Sequence, residues 1–449
     1  MVPVVETITK EFTAVTKCYH NAIPFSPLDR RQIAASFTGG EITSNAGFLL
    51  LREIIQKTGL AKKATNCLND NRRQSSIQYQ TETLLTQRLM ALCAGYEDLN
   101  DHDRLKLDKA LQVACGQSEV LASSPTLCRL ERQQDRSTAI RLHELLLDQF
   151  FKSHPRPPKS LVLDFDATDI PLHGEQEQRF FHGYYNQYCF LPLYVFCGRH
   201  LLVSYLRHSR QDAARHAWAI LSLLVKEIRR RWPHVRITFR GDSGFCRHRM
   251  LDWCDRHNVR YIVGIARNSR LEEKIEGPMG LLESICKPAG LKDCLFREFQ
   301  YQAGSWKRSR HVIAKVEYIG KRNPRFVVTN MKGDAKALYR RRYCARGEME
   351  NRIKDQQLDL FADRTSSHHW WPNQWRLLLS GLAWVVMEKL RESLKNTELE
   401  HARVMTLRER LIRIAAVVIS NTRRIHFLLP ESCPDQTLFR TAAANLKPG

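Results

Sequence analysis

Three prolines stand within four residues, Pro155, Pro157 and Pro158, in the run HPRPPK. Proline fixes φ and has no amide to donate, so no helix runs through this stretch and an extended linker is predicted. The chain follows different rules on its two sides. Upstream, residues 48–59 (FLLLREIIQKTG), 81–94 (TETLLTQRLMALCA) and 105–114 carry helical periodicity, the first two with a glycine stop. Residues 123–131 (SSPTLCRLE) read as a cap, a first-turn proline and a helix. That short basic helix fits the reader of a helix-turn-helix or one member of an ordinary bundle.

Downstream the pattern is α/β. Residues 160–165 (SLVLDF), 191–197 (LPLYVFC), 201–206 (LLVSYL), 236–240 (RITFR) and 261–265 (YIVGI) read as strands, the second and third paired about Gly198. Helices are predicted over 211–232 and 250–257, giving a mixed sheet with helices packed on it. Residues 295–330 alternate in short β-like runs and predict a β-rich insert. Helix returns over 339–360, and residues 374–394 and 407–420 are predicted to be apolar helices covering the sheet.

Composition narrows the function classes. Lys and Arg number 70 against 47 for Asp and Glu, a formal charge of +23, which calls for a polyanionic partner. A hydrophobic share of 43% argues against a wholly disordered chain. No apolar run approaches the roughly 18 to 20 residues of a membrane span, and the mixed start of the chain is unlike a signal peptide. The 13 cysteines are odd in number, with no CxxC pair and no HExxH, so neither a disulfide scaffold nor a structural zinc site is expected, and a reducing compartment is.

Three carboxylates sit where core logic would not put them. Asp166 closes the apolar strand in LVLDFDATD, with Asp164 on the same strand face as the alternative. Asp242 follows a second apolar strand in RITFRGDSGF, and loops at the ends of adjacent strands converge on one crevice. Glu350 lies on the predicted helix, where Arg346, Glu350 and Lys354 are spaced four apart and share a face within about 40° of drift. Oxygen ligands of this kind select Mg²⁺ or Mn²⁺. Two such ions can serve both oxygens of an in-line displacement at phosphorus, with Arg346 and Lys354 on the phosphates.

Three segments, 163–196 (LDFDATDIPLHGEQEQRFFHGYYNQYCFLPLYVF), 239–245 (FRGDSGF) and 343–355 (YCARGEMENRIKD), together make the chain resemble a bacterial insertion-sequence transposase of the DDE type, in the IS4-like superfamily and closest to the IS1380 group. Residues 37–51 and 95–105 match the style of that group, and the resemblance spans roughly 35–430. It implies an RNase H-like mixed-sheet catalytic core (155–270 and 335–430), interrupted by a β-rich insertion (271–334), with a mainly helical DNA-binding N-terminal region (1–154), a helical C-terminal region and a tail (431–449). It implies Asp166, Asp242 and Glu350 as catalytic metal ligands for two Mg²⁺ or Mn²⁺ ions, and matches Tyr343, Arg346 and Glu350 to a Tyr-Arg-Glu-Lys signature. The Lys of that signature falls on Gln357, and Lys354 stands in for it.

The expected partner is double-stranded DNA, as terminal inverted repeats and as target, with a homodimer in the paired-end complex, no membrane, and a cytoplasmic, nucleoid-associated location. Residues 301–325 carry seven basic residues and one acid, and 336–354 carry seven and two. Trp306, Lys307, Arg308 and Arg310 are expected on the DNA, with Trp306 at a hairpin tip, where its indole is either exposed for base stacking or part of the core. A metal-dependent nuclease of the same fold and an inactive DNA-binding relic are the competing readings.

Overall fold

The computed structural model describes residues 22–446. Its centre is an eight-stranded mixed sheet, with strands β1 (Ser160–Ala167), β2 (Leu193–Cys197), β3 (His200–Tyr205), β4 (Arg236–Gly241), β5 (Arg260–Ile265), β6 (Asp293–Tyr301), β7 (Arg310–Tyr318) and β8 (Arg325–Thr329). Across the sheet they lie in the order β6-β7-β8-β5-β4-β1-β2-β3. β1, β2 and β3 form an antiparallel meander, while β4 and β5 run parallel to β1. The predicted β-rich segment is present as β6 to β8, and it is not a sheet of its own. β8 pairs antiparallel with β5 and extends the central sheet, so the edge of β5 is covered rather than left open.

Periodicity explains which face each strand buries. In β1, Leu161, Leu163 and Phe165 enter the core beneath helix α3 (Ala217–Arg231), while Asp164 and Asp166 point the other way. Helix α3 is shorter than the predicted 211–232. Buried Arg207 holds the preceding segment open by donating to the carbonyls of Leu191 at 2.9 Å and of Ala213 and Arg215 at 2.8 Å each. The ends of β1 and β4 rest on a ring cluster. Phe165 meets Phe239 edge-on at 5.2 Å, and Phe245, just past β4, lies 6.1 Å from Phe165.

The other face is covered by helices from both ends of the chain. Helix α5 (Trp370–Ser393) packs on α1 (Thr81–Ala94), on α2 (Arg136–Lys152) and on β3. Leu85, Leu89, Leu142, Leu382, Trp384 and Phe196 belong to one continuous core, so the helices before the linker and after the sheet share their burial. Trp375 is buried, and Trp370 and Trp371 pack against this core. The helix at Ser124–Arg132 belongs to the bundle through buried Leu127 and Leu130, and its Glu131 is buried against Arg88 and Arg376.

One expectation fails locally, and one element was not foreseen. The predicted helix 407–420 ends at Ile412, and Ala416–Ser420 is a strand between Ile42–Thr43 and Ile425–Leu428. Its alternation decides this: Ala416 and Val418 are buried, Val417 and Ile419 exposed. A hairpin at Ile23–Leu28 and Arg31–Ala35 has no counterpart in the sequence reading, because all its residues are exposed and leave no burial pattern. Among the described residues no helix is long and apolar enough to cross a membrane. Phe239→Ala is expected to destabilise the protein by about 3–5 kcal/mol in denaturant unfolding, the cost of emptying a fully buried ring site.

Candidate active site

Strand pairing sets the first two carboxylates. β1 and β4 are parallel and in register, with Arg240 opposite Asp164 and Gly241 opposite Phe165. The next residue of each strand is therefore Asp166 and Asp242, side by side at one end of the sheet. Asp242 also heads the single turn Ser243–Phe245, where its Oδ1 accepts from the Gly244 amide at 2.9 Å.

The third carboxylate comes from an irregularly wound helix. The predicted helix 339–360 is π-wound at Leu338–Tyr343, tightens to a 3-10 turn at Cys344–Arg346, becomes α4 (Gly347–Lys354), and is π-wound again at Asp355–Asp359. Arg346 and Glu350 share a face as the spacing requires, with Arg346 Nη2 donating to Glu350 Oε1 at 2.5 Å. The other guanidinium arm reaches Asp166 Oδ1 at 3.4 Å. Arg346 thus stands between a strand carboxylate and the helix carboxylate. Glu350 remains 44% exposed, so the corner is open to a ligand. Lys354 lies one turn further on, exposed. Gln357, in the position of the signature Lys, donates to the Asp169 carbonyl at 3.2 Å.

Electrostatics mark this corner. Burial pushes the Asp166 carboxyl up to about 7; Arg346 opposes that shift, and Asp242 and Glu350 reinforce it. A hard cation between these oxygens would relieve the repulsion, and the all-oxygen donor set suits Mg²⁺ or Mn²⁺. Asp164 is placed differently. Its two oxygens accept from Nε and Nη2 of Arg240, the latter at 2.7 Å, and the pair is buried. Arg240 also donates to the backbone carbonyl of Arg342, and to that of Ala345 at 3.4 Å. The sequence reading had no role for Arg240; its signal was an arginine at an apolar strand's end, one residue before the Asp.

The expected DNA tip is partly overturned. Trp306 is buried, edge-on to Tyr301 at 5.7 Å, and does not present its indole for stacking. Arg310 is also buried, paired with Asp252 at 2.5 Å and with Asp255, and donating to the Tyr261 hydroxyl at 2.6 Å. A charged side chain in the sheet interior needs such partners, and two acids one turn apart on the helix His248–Arg256 supply them. Arg308 is exposed and also pairs with Asp255, while Lys307 is exposed. A separate exposed group, Glu177, His368 and His369, brings its ligand atoms within 4.8 Å of one another. Glu177 there accepts from the Trp370 amide at 2.8 Å and caps α5.

Tyr343 closes the site over β5. A Cβ at Gly264 would lie 2.6 Å from the Tyr343 hydroxyl and 2.9 Å from the Ser243 amide nitrogen. Gly264→Ala is expected to cost about 1–3 kcal/mol by overpacking, and Gly264→Ala/Tyr343→Phe to recover part of that loss in the same unfolding measurement.

A cryo-EM structure of the piggyBac transposase synaptic complex with hairpin DNA is similar over 90% of this chain and 85% of its own, at 13% identity and a TM-score of 0.41. That likeness is too distant to argue from. None of the curated proteins matches the chain in sequence. The family described as transposase DDE domain group 1 matches residues 25–448, almost the whole length, and the chain belongs to that family of DDE transposases.

Proposed function

We propose that the protein binds the terminal inverted repeats of an insertion sequence, hydrolyses a phosphodiester at each element end and joins the freed 3′-hydroxyl to target DNA. The observation that carries this is the meeting of Asp166, Asp242 and Glu350 at one sheet end, with Arg346 between two of them. The antiparallel meander followed by two strands parallel to its first member is the order an RNase H-like core requires. The three motifs resemble those of the IS4-like superfamily and its IS1380 group, and the reading follows that resemblance. Asp164 is bound to Arg240, which supports Asp166 as the first ligand.

Two Mg²⁺ or Mn²⁺ ions held by Asp166, Asp242 and Glu350 would supply activation of the attacking oxygen and stabilisation of the leaving one. Asp166 and Asp242 would hold the reacting phosphate's counter-charge at fixed strand ends. Arg346 would neutralise the carboxylates before DNA arrives and take a phosphate oxygen afterwards. Lys354, with Tyr343 on the same helical segment, and Lys307 with Arg308 at the hairpin tip, would bind the DNA backbone. Two ends cut in concert call for a homodimer, working in the cytoplasm at the nucleoid.

The test uses labelled DNA carrying the element ends, with Mg²⁺ or EDTA. Wild type is expected to give Mg²⁺-dependent 3′-hydroxyl ends and then joined products. Glu350→Gln is expected to lower both by at least about 100-fold, since several kcal/mol of transition-state stabilisation are lost. Cutting without joining of precut ends would indicate a nuclease, and binding without cutting a relic. Lys307→Ala should reduce the slope of log affinity against log salt by about 1.

A further inference from the structure

We propose that Arg240 is a positioning residue that locks the Glu350 helix onto the aspartate strands through one buried guanidinium. The inference rests on the assignment of Asp166, Asp242 and Glu350 as metal ligands. Arg240 is the residue before Gly241-Asp242 on β4, and its partner Asp164 is two residues before Asp166 on the adjacent β1. A fork of donors to both oxygens of Asp164 fixes the plane of the guanidinium. The same plane carries two further donations, to the carbonyls of Arg342 and Ala345. Those carbonyls flank the change from π to 3-10 winding, directly before Arg346 and α4.

One side chain therefore touches both strands that carry aspartates and the backbone that aims Arg346 and Glu350. The winding matters because α-helical hydrogen bonding alone does not define the path at such a junction. Asp164 supplies the charge that lets the guanidinium stay buried. Lysine in its place would keep the charge beside Asp164. It could not present a planar fork and reach two carbonyls at once. The separation of Glu350 from Asp166 and Asp242 would then be loosely set, and metal affinity would fall before the chemistry does.

Arg240→Lys is tested against wild type by Mn²⁺ titration followed by electron paramagnetic resonance, by amide exchange of residues 342–350 in metal-free protein, and by cleavage across a Mn²⁺ series. Supporting orienting residues typically contribute 10- to 100-fold to metal affinity, so the Mn²⁺ half-saturation is expected to rise at least about 10-fold. Exchange at 342–350 should quicken. Cleavage at saturating Mn²⁺ should return to within about three-fold of wild type, the split between affinity and rate that a positioning role entails. Wild-type Mn²⁺ affinity and exchange would overturn the proposal. So would a cleavage loss at every Mn²⁺ concentration with unchanged half-saturation.

If Arg240→Lys fails to fold, Asp164→Asn serves, since it keeps the shape and leaves Arg240 within reach of the carbonyls. A smaller shift in the same direction supports the lock, and none overturns it. Glu350→Gln separates the two readings: if it retains Mn²⁺ binding and cleavage, the ligand assignment has failed, whatever Arg240→Lys does.

Discussion

Gathering three carboxylates at one end of the sheet is electrostatically costly, and the fold is organised around that cost. Asp166 and Asp242 leave adjacent parallel strands at the same level, so the sheet register alone brings like charges together. The Phe165, Phe239 and Phe245 rings beneath them lower the local dielectric and hold both strand ends. Arg346 answers part of the repulsion by bridging Asp166 and Glu350. Burial, and after it the neighbouring Asp242 and Glu350 carboxylates, push the Asp166 carboxyl up to about 7 against the pull of Arg346.

Asp166 and Asp242 were legible as candidates because each ends an apolar strand run, and Glu350 because it lies one helical turn from Arg346. Asp164 and Asp166 could not be separated that way. Period two places both on one face, and only the neighbouring strand shows that Asp164 belongs to Arg240. The burial of Trp306 and Arg310 could not be settled locally for the same reason: it is decided by Tyr301 and Tyr261 on the sheet and by Asp252 and Asp255 on the helix His248–Arg256, not by local pattern. The strand at Ala416–Ser420 did carry a local signal, since three of the five residues in AVVIS are β-branched; its closeness to an apolar helix masked it.

The excess of basic residues also divides on inspection. Arg88, Arg207, Arg240, Arg310, Arg391 and Arg408 are buried. Several of them donate to backbone carbonyls where regular structure changes course, as Arg207 does before α3 and Arg408 does to the Cys93 carbonyl in the last turn of α1. Arginine here is an internal fastener as well as a surface charge, so the net charge overstates how much positive charge is free to face a polyanion.

The most direct test of the account is the position of metal in the DNA-bound protein. Crystals of the complex grown with Mn²⁺ should show two anomalous peaks about 3.5–4 Å apart, in contact with Asp166, Asp242 and Glu350. Peaks on Asp164, or only at Glu177, His368 and His369, with the three carboxylates bare, would contradict it.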